Sequence, residues 1–460
     1  MNETQRIFVP GEITQREHCF DRVEPFAKHR GNPILKPERP WEGTCVSHPT
    51  VIYDQEAGIL KMWYECIGPP VESLGVTEQG NVVDNRQVHD NHWYLCYATS
   101  EDGLTWDRPA LNRIHAEYHP DNNITHIDAG FIGGSGTVML DRNDPDPDRR
   151  YKLLIYDNDG KGGDGARSFV STDGTDWKPL GPFPVLPSQD AMSCWYDERR
   201  KRYVALLKTR LDNLRARMIS VSDDFENWTD PEVMFDAAST DRPTEQFYDQ
   251  CAFHHCGHDW SLLGKFNLSM QTTDIELTTA SLGVAWRRLP TRPAMVRAGD
   301  PGAWDCGGVY APTSGPFEFT GRMHFYYTGT SIRHDSGGFE GVTACERLQG
   351  IGVATFTPGR MVGQQFEGDG WFESMPFRCP GGKLSIDANL KFPLTVEVRN
   401  AGYSGPFDGY RETDCIAVNG NSQEHTLTWK DRSNLDAIAG HYVQLRVYGK
   451  NSIVYGFRAR

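Results

Sequence analysis

The chain has 460 residues, and 47 Lys and Arg against 62 Asp and Glu give it a formal charge of −15. That acidity repels phosphate and no basic stripe offsets it, so nucleic acid is excluded as an expected partner. Charged residues at 24% and hydrophobic residues at 38% exclude a disordered chain, and no run approaches the roughly 18 apolar residues of a membrane helix.

Met1 to Phe20 lacks the apolar stretch of a signal peptide, and the 11 cysteines are spread from Cys19 to Cys415 without a framework spacing. The expectation is a cytoplasmic protein with reduced thiols and no membrane partner. In chain order, a strand–turn–strand pattern then recurs. Val46 to Tyr53 turns through Asp54 to Gly58 into Ile59 to Tyr64, and Thr137 to Leu140 is followed by Tyr151 to Tyr156. Met192 to Tyr196 is followed by Tyr203 to Leu207, Cys251 to Phe253 by Trp260 to Leu263, and Gly315 to Phe319 by Met323 to Tyr327. Aromatic and β-branched runs joined across Gly, Asp and Asn turns are hairpin chemistry.

A third strand follows each hairpin, and most end in one box. Tyr94 to Ser100 leads to Asp102-Gly103 and Trp106, Arg167 to Ser171 leads to Asp173-Gly174 and Trp177, and Met218 to Ser222 leads to Asp224 and Trp228. Ile275 to Ser281 leads to a shortened version with Gly283 and Trp286, and Ile351 to Phe356 ends without a Trp. Asp caps a tight turn, Gly supplies positive φ and Trp covers the blade edge, so the box marks architecture. Five such units predict an all-β chain: a five-bladed β-propeller over residues 1–365. Gly68 to Asn91 and Asp107 to Asn123 are polar insertions in the first unit. From about Phe366 the strands alternate without a box, which predicts a C-terminal antiparallel β-sandwich over 366–460, either a brace or a glycan binder.

With His48-Pro49-Thr50-Val51-Ile52-Tyr53-Asp54 and Leu60 to Tyr64 in the first blade, the chain resembles the five-bladed propeller glycoside hydrolases. A propeller with a C-terminal sandwich is similar to the invertase and levanase group, and the propeller alone to the arabinanase and xylosidase group. The resemblance implies a catalytic Asp before Pro at the start of blade one, and here that position is His48. The Trp-Met-Asn-Asp-Pro-Asn-Gly signature of the invertases is absent, so their nucleophile does not carry over. The resemblance also leaves room for a channel Ca²⁺ or similar divalent ion; otherwise no cofactor is expected, since no P-loop or dinucleotide fingerprint occurs. The run from Cys251 to Asp259 has ligand residue types but no recognised zinc spacing.

In a propeller the innermost strands all start at one mouth of the axis. Blade one contributes Glu42, Ser47 and His48, blade two Asp128 and Ser135, and blade three Gln189 and Asp190. Blade four contributes Arg242, Glu245, Tyr248 and Asp249, and blade five Trp304, Asp305 and Tyr310, making an acidic and aromatic mouth. Glycoside hydrolysis needs a protonated and an ionised carboxyl, and crowding separates their pKa values. Asp190 and Asp249, each taken to hold the His48 place in its own hairpin, are the expected pair, with Glu245 the alternative acid. Asp128 and Asp305 would orient hydroxyls or tune pKa, and His48 would bind a hydroxyl or donate a proton. Glu42, Arg242, Tyr248, Tyr310 and His92 are further substrate contacts; Trp304 is the expected sugar platform, and Trp63 is expected in the core. The function these residues predict is exo-acting glycoside hydrolysis of an oligosaccharide. The alternatives are a glycoside phosphorylase using Arg242, Arg333 and His334 for phosphate, a non-catalytic glycan-binding propeller, or a lyase using His48 and Tyr310.

Overall fold

In the computed structural model, every regular element among the described residues is a β-strand or a short 3₁₀ turn. The structure describes residues 4–68, 92–114, 119–128, 135–158, 164–236, 241, 244–281, 285–335, 348–402 and 405–460. Five sheets, antiparallel except where His126–Ile127 pairs in parallel with Asp176–Leu180, follow one another along the chain and form the blades of a propeller. Blade one holds Val46–Asp54, Ile59–Gly68 and His92–Ser100, and blade two Gly136–Leu140, Tyr151–Asn158, Asp164–Ser171 and Asp176–Leu180. Blade three holds Ser193–Asp197, Arg202–Leu211, Leu214–Ser222 and Glu232–Phe235. Blade four is built on Glu245–His255, His258–Asn267, Thr272–Ser281 and Ala285–Arg288, and blade five on Gly308–Tyr310, Arg322–Thr330 and Gln349–Phe356.

The first strand of blade five differs from its expected form. Phe317–Phe319 does pair with Arg322 to His324, but the ladder resumes only at Gly308–Tyr310. Pro312 and Pro316 lie between, and a residue without an N–H cannot continue a ladder. The ring is closed by the N-terminal segment: Ala27–Lys28 pairs with Thr355 and Ala354 on the outer edge of blade five.

The box works as a turn and as an interblade joint. Asp102 Oδ1 accepts from the N–H groups of Leu104 and Thr105 at 2.8 and 2.7 Å, and Asp173 and Asp224 repeat the arrangement. Gly103 and Gly174 have φ of 76° and 80°, and Phe225 takes the same left-handed place at 68°. The preceding blade then caps the turn: Trp63 Nε1 donates to the Gly174 carbonyl and Tyr326 Oη to that of Gly103. Trp63 is buried against Tyr97 and Tyr151, as expected of a core residue.

Around the axis, one ladder position carries a polar side chain in blades one to four, Thr50, Thr137, Ser193 and Gln250, and Thr313, in the interruption of the first strand of blade five, joins them. Thr50 Oγ1 meets Thr313 Oγ1 at 2.6 Å and receives the Val138 N–H, while Thr137 Oγ1 receives the Cys194 N–H and donates to the Thr313 carbonyl. Ser193 donates to the Gln250 carbonyl. Inner strands of different sheets cannot share backbone ladders here, so these side chains satisfy the buried polar groups between blades.

The C-terminal strands form a β-sandwich. Val362–Glu373 pairs first with Ile453–Ala459 and then with Tyr442–Lys450, and Leu384–Asn400 likewise pairs with both, which joins eight strands into one folded-over sheet. Phe366, Phe372, Leu445, Val447 and Trp429 fill the core within it. The chain is not divided at 365 as expected. Thr4–Ile7 pairs with Ile453–Ala459, Gln15–Val23 pairs with Val362–Glu373, and that last strand runs across the boundary. These N-terminal strands belong to the sandwich sheet because their paired edges are there.

Candidate active site

The propeller and its sandwich define the class of scaffold, and one side of the axis gathers ionisable groups. At this end the first strands of blades one and four are bulged. Ser47 pairs with Glu65 and Thr50 with Trp63, leaving His48 and Pro49 in the bulge; Phe247 pairs with Lys265 and Gln250 with Leu263, leaving Tyr248 and Asp249. A bulge re-aims side chains and is common beside active sites. His48 has a φ of 45°, a strained value for a residue with a Cβ. The register corrects one expectation: Tyr248 holds the place of His48, Asp249 that of Pro49, and Asp190 precedes Ser193 by one residue more than His48 precedes Thr50.

Asp249 is buried, no side chain among the described residues hydrogen-bonds its carboxyl, and the Ala311 backbone N–H is the donor that acts on it. It lies against Gly264, where a Cβ would stand 1.7 Å from Asp249 Oδ1. Burial raises its pKa to about 7, against the pull of His48 and Arg217. His48 Nδ1 meets Glu65 Oε2 at 3.1 Å. Burial disfavours the imidazolium, but Glu65, then Asp249 and Asp190, outweigh it and leave the His48 pKa raised.

Asp190 has the opposite setting. Its side chain is 51% exposed at the wall of a cavity of about 280 Å³. Crowding by those walls works against its charge, yet the Lys208 ammonium, bonded directly to it, outweighs this and holds the carboxyl below its usual range. Ser135 positions this segment by donating to the Asp190 carbonyl at 2.6 Å and accepting the Met192 N–H. Behind both carboxyls, the fully buried Arg217 donates to the carbonyls of Ala191, Tyr248 and Leu206 at 2.7, 2.8 and 3.1 Å. It ties blades three and four together, and burial lowers its pKa only to about 10.

Tyr248 lines the cavity, and Tyr310 packs edge-on against it with ring centroids 5.4 Å apart. Gln189 also lines the cavity and Ser47 Oγ lies 3.2 Å from His48 Nδ1, whereas several other expected residues are placed elsewhere. Glu42 is sealed in a structural cluster: Arg108 Nε pairs with it at 3.0 Å, Tyr64 Oη donates to it at 2.7 Å, and the N–H groups of Glu38 and Arg39 fill its other oxygen. Asp128 is exposed beside the outer edge of blade two, where its N–H bonds the Trp177 carbonyl. Glu245 faces Lys265 at 3.6 Å and does not line the cavity. Asp305 is buried between Lys28 and Tyr327 Oη at the ring closure. Trp304 is no open platform, because it packs on the Cα faces of Gly329 and Gly352. Arg242, the segment 69–91 and the His92 side chain lie outside the described residues.

Sequence reading passed over Glu65 and Arg217, and with them the cavity's cations, Lys208, Arg210 and Arg215. The signal for the last group was present: Lys208 and Arg210, then Arg215 and Arg217, alternate on either side of the Asp212-Asn213 turn, which puts them on one face of a hairpin. The mouth is therefore rich in cations as well as carboxyls. Among the described residues no group of three or more His, Cys, Asp and Glu could hold a metal. Lys208 binds Asp190 and His48 binds Glu65, so these carboxyls do not fit a divalent ion.

No family model matches the chain, and no curated protein matches its sequence. Solved structures do match its fold. A β-1,2-mannobiose phosphorylase from Listeria innocua, in complex with β-1,2-mannobiose, is 12% identical over 72% of this chain and 96% of its own, with a TM-score of 0.50. A fructofuranosidase from Schwanniomyces occidentalis complexed with fructosylnystose is 9% identical over 95% of this chain and 97% of its own, with a TM-score of 0.47. An α-L-arabinofuranosidase from Podospora anserina in complex with cellotriose is 15% identical over 73% and 98%, with a TM-score of 0.46. At these identities the likeness is one of fold.

Proposed function

We propose that the chain is a glycoside-cleaving enzyme that works at the cavity lined by Asp190, Lys208 and Tyr248. The observation that carries this reading is a pair of carboxyls on neighbouring inner strands driven to opposite protonation states: Asp190 below its usual pKa range and Asp249 raised to about 7. Glycoside cleavage needs that division, one ionised group for the anomeric carbon or its attacking water and a proton for the leaving oxygen. Asp190 supplies the first at the cavity wall. The proton is held beneath it by Asp249 and His48. A cavity of about 280 Å³ suits one sugar ring better than a run of them, which favours cleavage from a chain end. The fold is one on which structures with bound oligosaccharides are known, the mannobiose phosphorylase among them.

Asp190→Asn, Asp249→Asn and His48→Asn are each expected to lower kcat/KM by roughly 10²- to 10⁴-fold on whichever aryl glycoside or oligosaccharide of a panel the wild type cleaves. The pH profile is expected to rise as Asp190 ionises, below its usual range, and to fall as Asp249 loses its proton near pH 7. If all three variants keep full turnover, the assignment fails. A phosphorylase remains the second reading, favoured by the cations in the cavity wall.

A further inference from the structure

The hairpin of blade three places like charges directly opposite each other. Lys208 pairs in register with Arg217, and Arg210 with Arg215. Cross-strand pairs of one sign are destabilising, so two in succession need a reason. Arg217 has one, since its guanidinium is consumed by three backbone carbonyls. Lys208 is balanced by Asp190. Arg210 and Arg215 have no such balance: among the described residues neither makes an ion pair with a carboxylate. Arg210 donates to the Asn213 carbonyl at 3.0 Å, and Arg215 to Gln246 Oε1 at 2.9 Å. Arg215 is also held in place, its guanidinium stacked 4.5 Å from the Phe266 ring centroid and 5.4 Å from that of Tyr248.

Both arginines face the cavity that Asp190 lines; His334, with Nε2 3.3 Å from Tyr248 Oη, stands in the same wall, as does the Asp164 carboxylate, which accepts from Tyr156 Oη at 3.2 Å. We infer that Arg210, Arg215 and His334 form an oxyanion subsite, so that the ligand of this cavity carries a carboxylate or phosphate group beside the sugar ring attacked at Asp190. A guanidinium fork held in place next to a second cation recognises a planar or tetrahedral oxyanion, whereas a neutral sugar would leave both arginines without a counter-charge. Burial and the neighbouring Arg210 lower the pKa of Arg215, as expected of a cation with no paired carboxylate. The inference rests on the proposed cleavage only for the position of the sugar; the subsite itself stands on the hairpin.

Two sources of the oxyanion are separable. If it is orthophosphate, the glycosidic C–O bond breaks, a phosphate oxygen bonds to the anomeric carbon, the leaving oxygen takes the proton, and a sugar 1-phosphate is released. If it is the substrate's own carboxylate, as in a uronide, water attacks and turnover needs no phosphate. Calorimetric titration of the full chain at low ionic strength with orthophosphate, and separately with galacturonate, is expected to show saturable binding of one of them. Arg215→Gln and Arg210→Gln should each weaken that binding tenfold or more, and Lys450→Gln, on the sandwich, should leave it unchanged. Thermal unfolding of each variant without ligand shows whether it is folded. Binding of neither anion by the wild type overturns the inference, as does equal binding by the folded Arg210→Gln/Arg215→Gln double variant. Anion binding without turnover of any glycoside would leave the subsite standing and remove the cleavage reading; turnover of a neutral glycoside without anion binding would do the reverse.

Discussion

Asp249 costs the fold stability that a neutral side chain would not. Its unfolded pKa is that of a free carboxyl, about 3.9, and its folded value is about 7. A carboxyl raised on folding contributes stability that is fully present below the unfolded value and is lost as pH rises to the folded one. Three units correspond to on the order of 4 kcal/mol, lost between about pH 4 and pH 7. Asp249→Asn has no proton to lose there. Its melting temperature relative to the wild type should therefore climb from pH 4.5 to pH 7.5 and level off above. A constant difference across that range would mean that Asp249 titrates normally. The comparison of slopes matters more than either absolute value, because removing the carboxylate also deprives the buried Arg217 of a counter-charge. Stability surrendered at one buried acid is common at functional sites.

At the scale of elements, the bulge at Tyr248 and Asp249 and the glycine opposite it form one device. Gly264 leaves the room into which the Asp249 carboxyl is pressed, and a methyl group at 1.7 Å from Oδ1 cannot be accommodated without displacing it. Gly264→Ala is expected to cost roughly 1–3 kcal/mol by overpacking and to lower turnover together with it. Gly405→Ala, where a Cβ meets nothing within 4 Å, serves as the comparison. Should Gly264→Ala keep full activity and unchanged melting, the tight seat of Asp249 has no role. The hairpins and boxes were legible because they are local: Asp102, Gly103 and Trp106 lie within one turn, and their residue types follow from φ and capping. The mouth was legible only in part. Asp190, Asp249, His48 and Tyr248, singled out by their place ahead of a hairpin, lie close enough to act on one another's charges. Glu42 and Asp305 share that place but are turned into ion pairs with Arg108 and Lys28, partners 66 and 277 residues away in sequence that no local pattern reveals. The axial polar ring was also written in the sequence, as Thr50, Thr137 and Ser193 each four residues before Asp54, Asp141 and Asp197, but its meaning needs the blades assembled around an axis.

Across the whole molecule, the division of the chain was the least legible feature, because strand pairing between its two ends leaves no trace in composition. Thr4–Ile7 and Gln15–Val23 complete the sandwich sheet whose other strands begin at Val362. The propeller and the sandwich also share core: Ile7, Val9, Met361 and Val362 pack in one cluster with Trp260, Phe325 and Phe356 of blades four and five. Arg360, at the end of blade five, reaches Asp387 in the sandwich at 2.7 Å. Such burial is a single cooperative surface, so the two parts should unfold together even though each has its own core. Full-length protein is expected to give one transition in urea, with fluorescence and far-ultraviolet circular dichroism superimposing. Removal of residues 1–23 strips one strand from Ile453–Ala459 and another from Val362–Glu373, exposing apolar surface and two sheet edges. That truncated chain should unfold at lower urea, with the change felt by the propeller as well as the sandwich. Two separated transitions in the full chain, or a truncation whose effect stops at the sandwich, would show instead that the propeller stands alone and that the shared cluster carries no coupling between the propeller and the C-terminal strands.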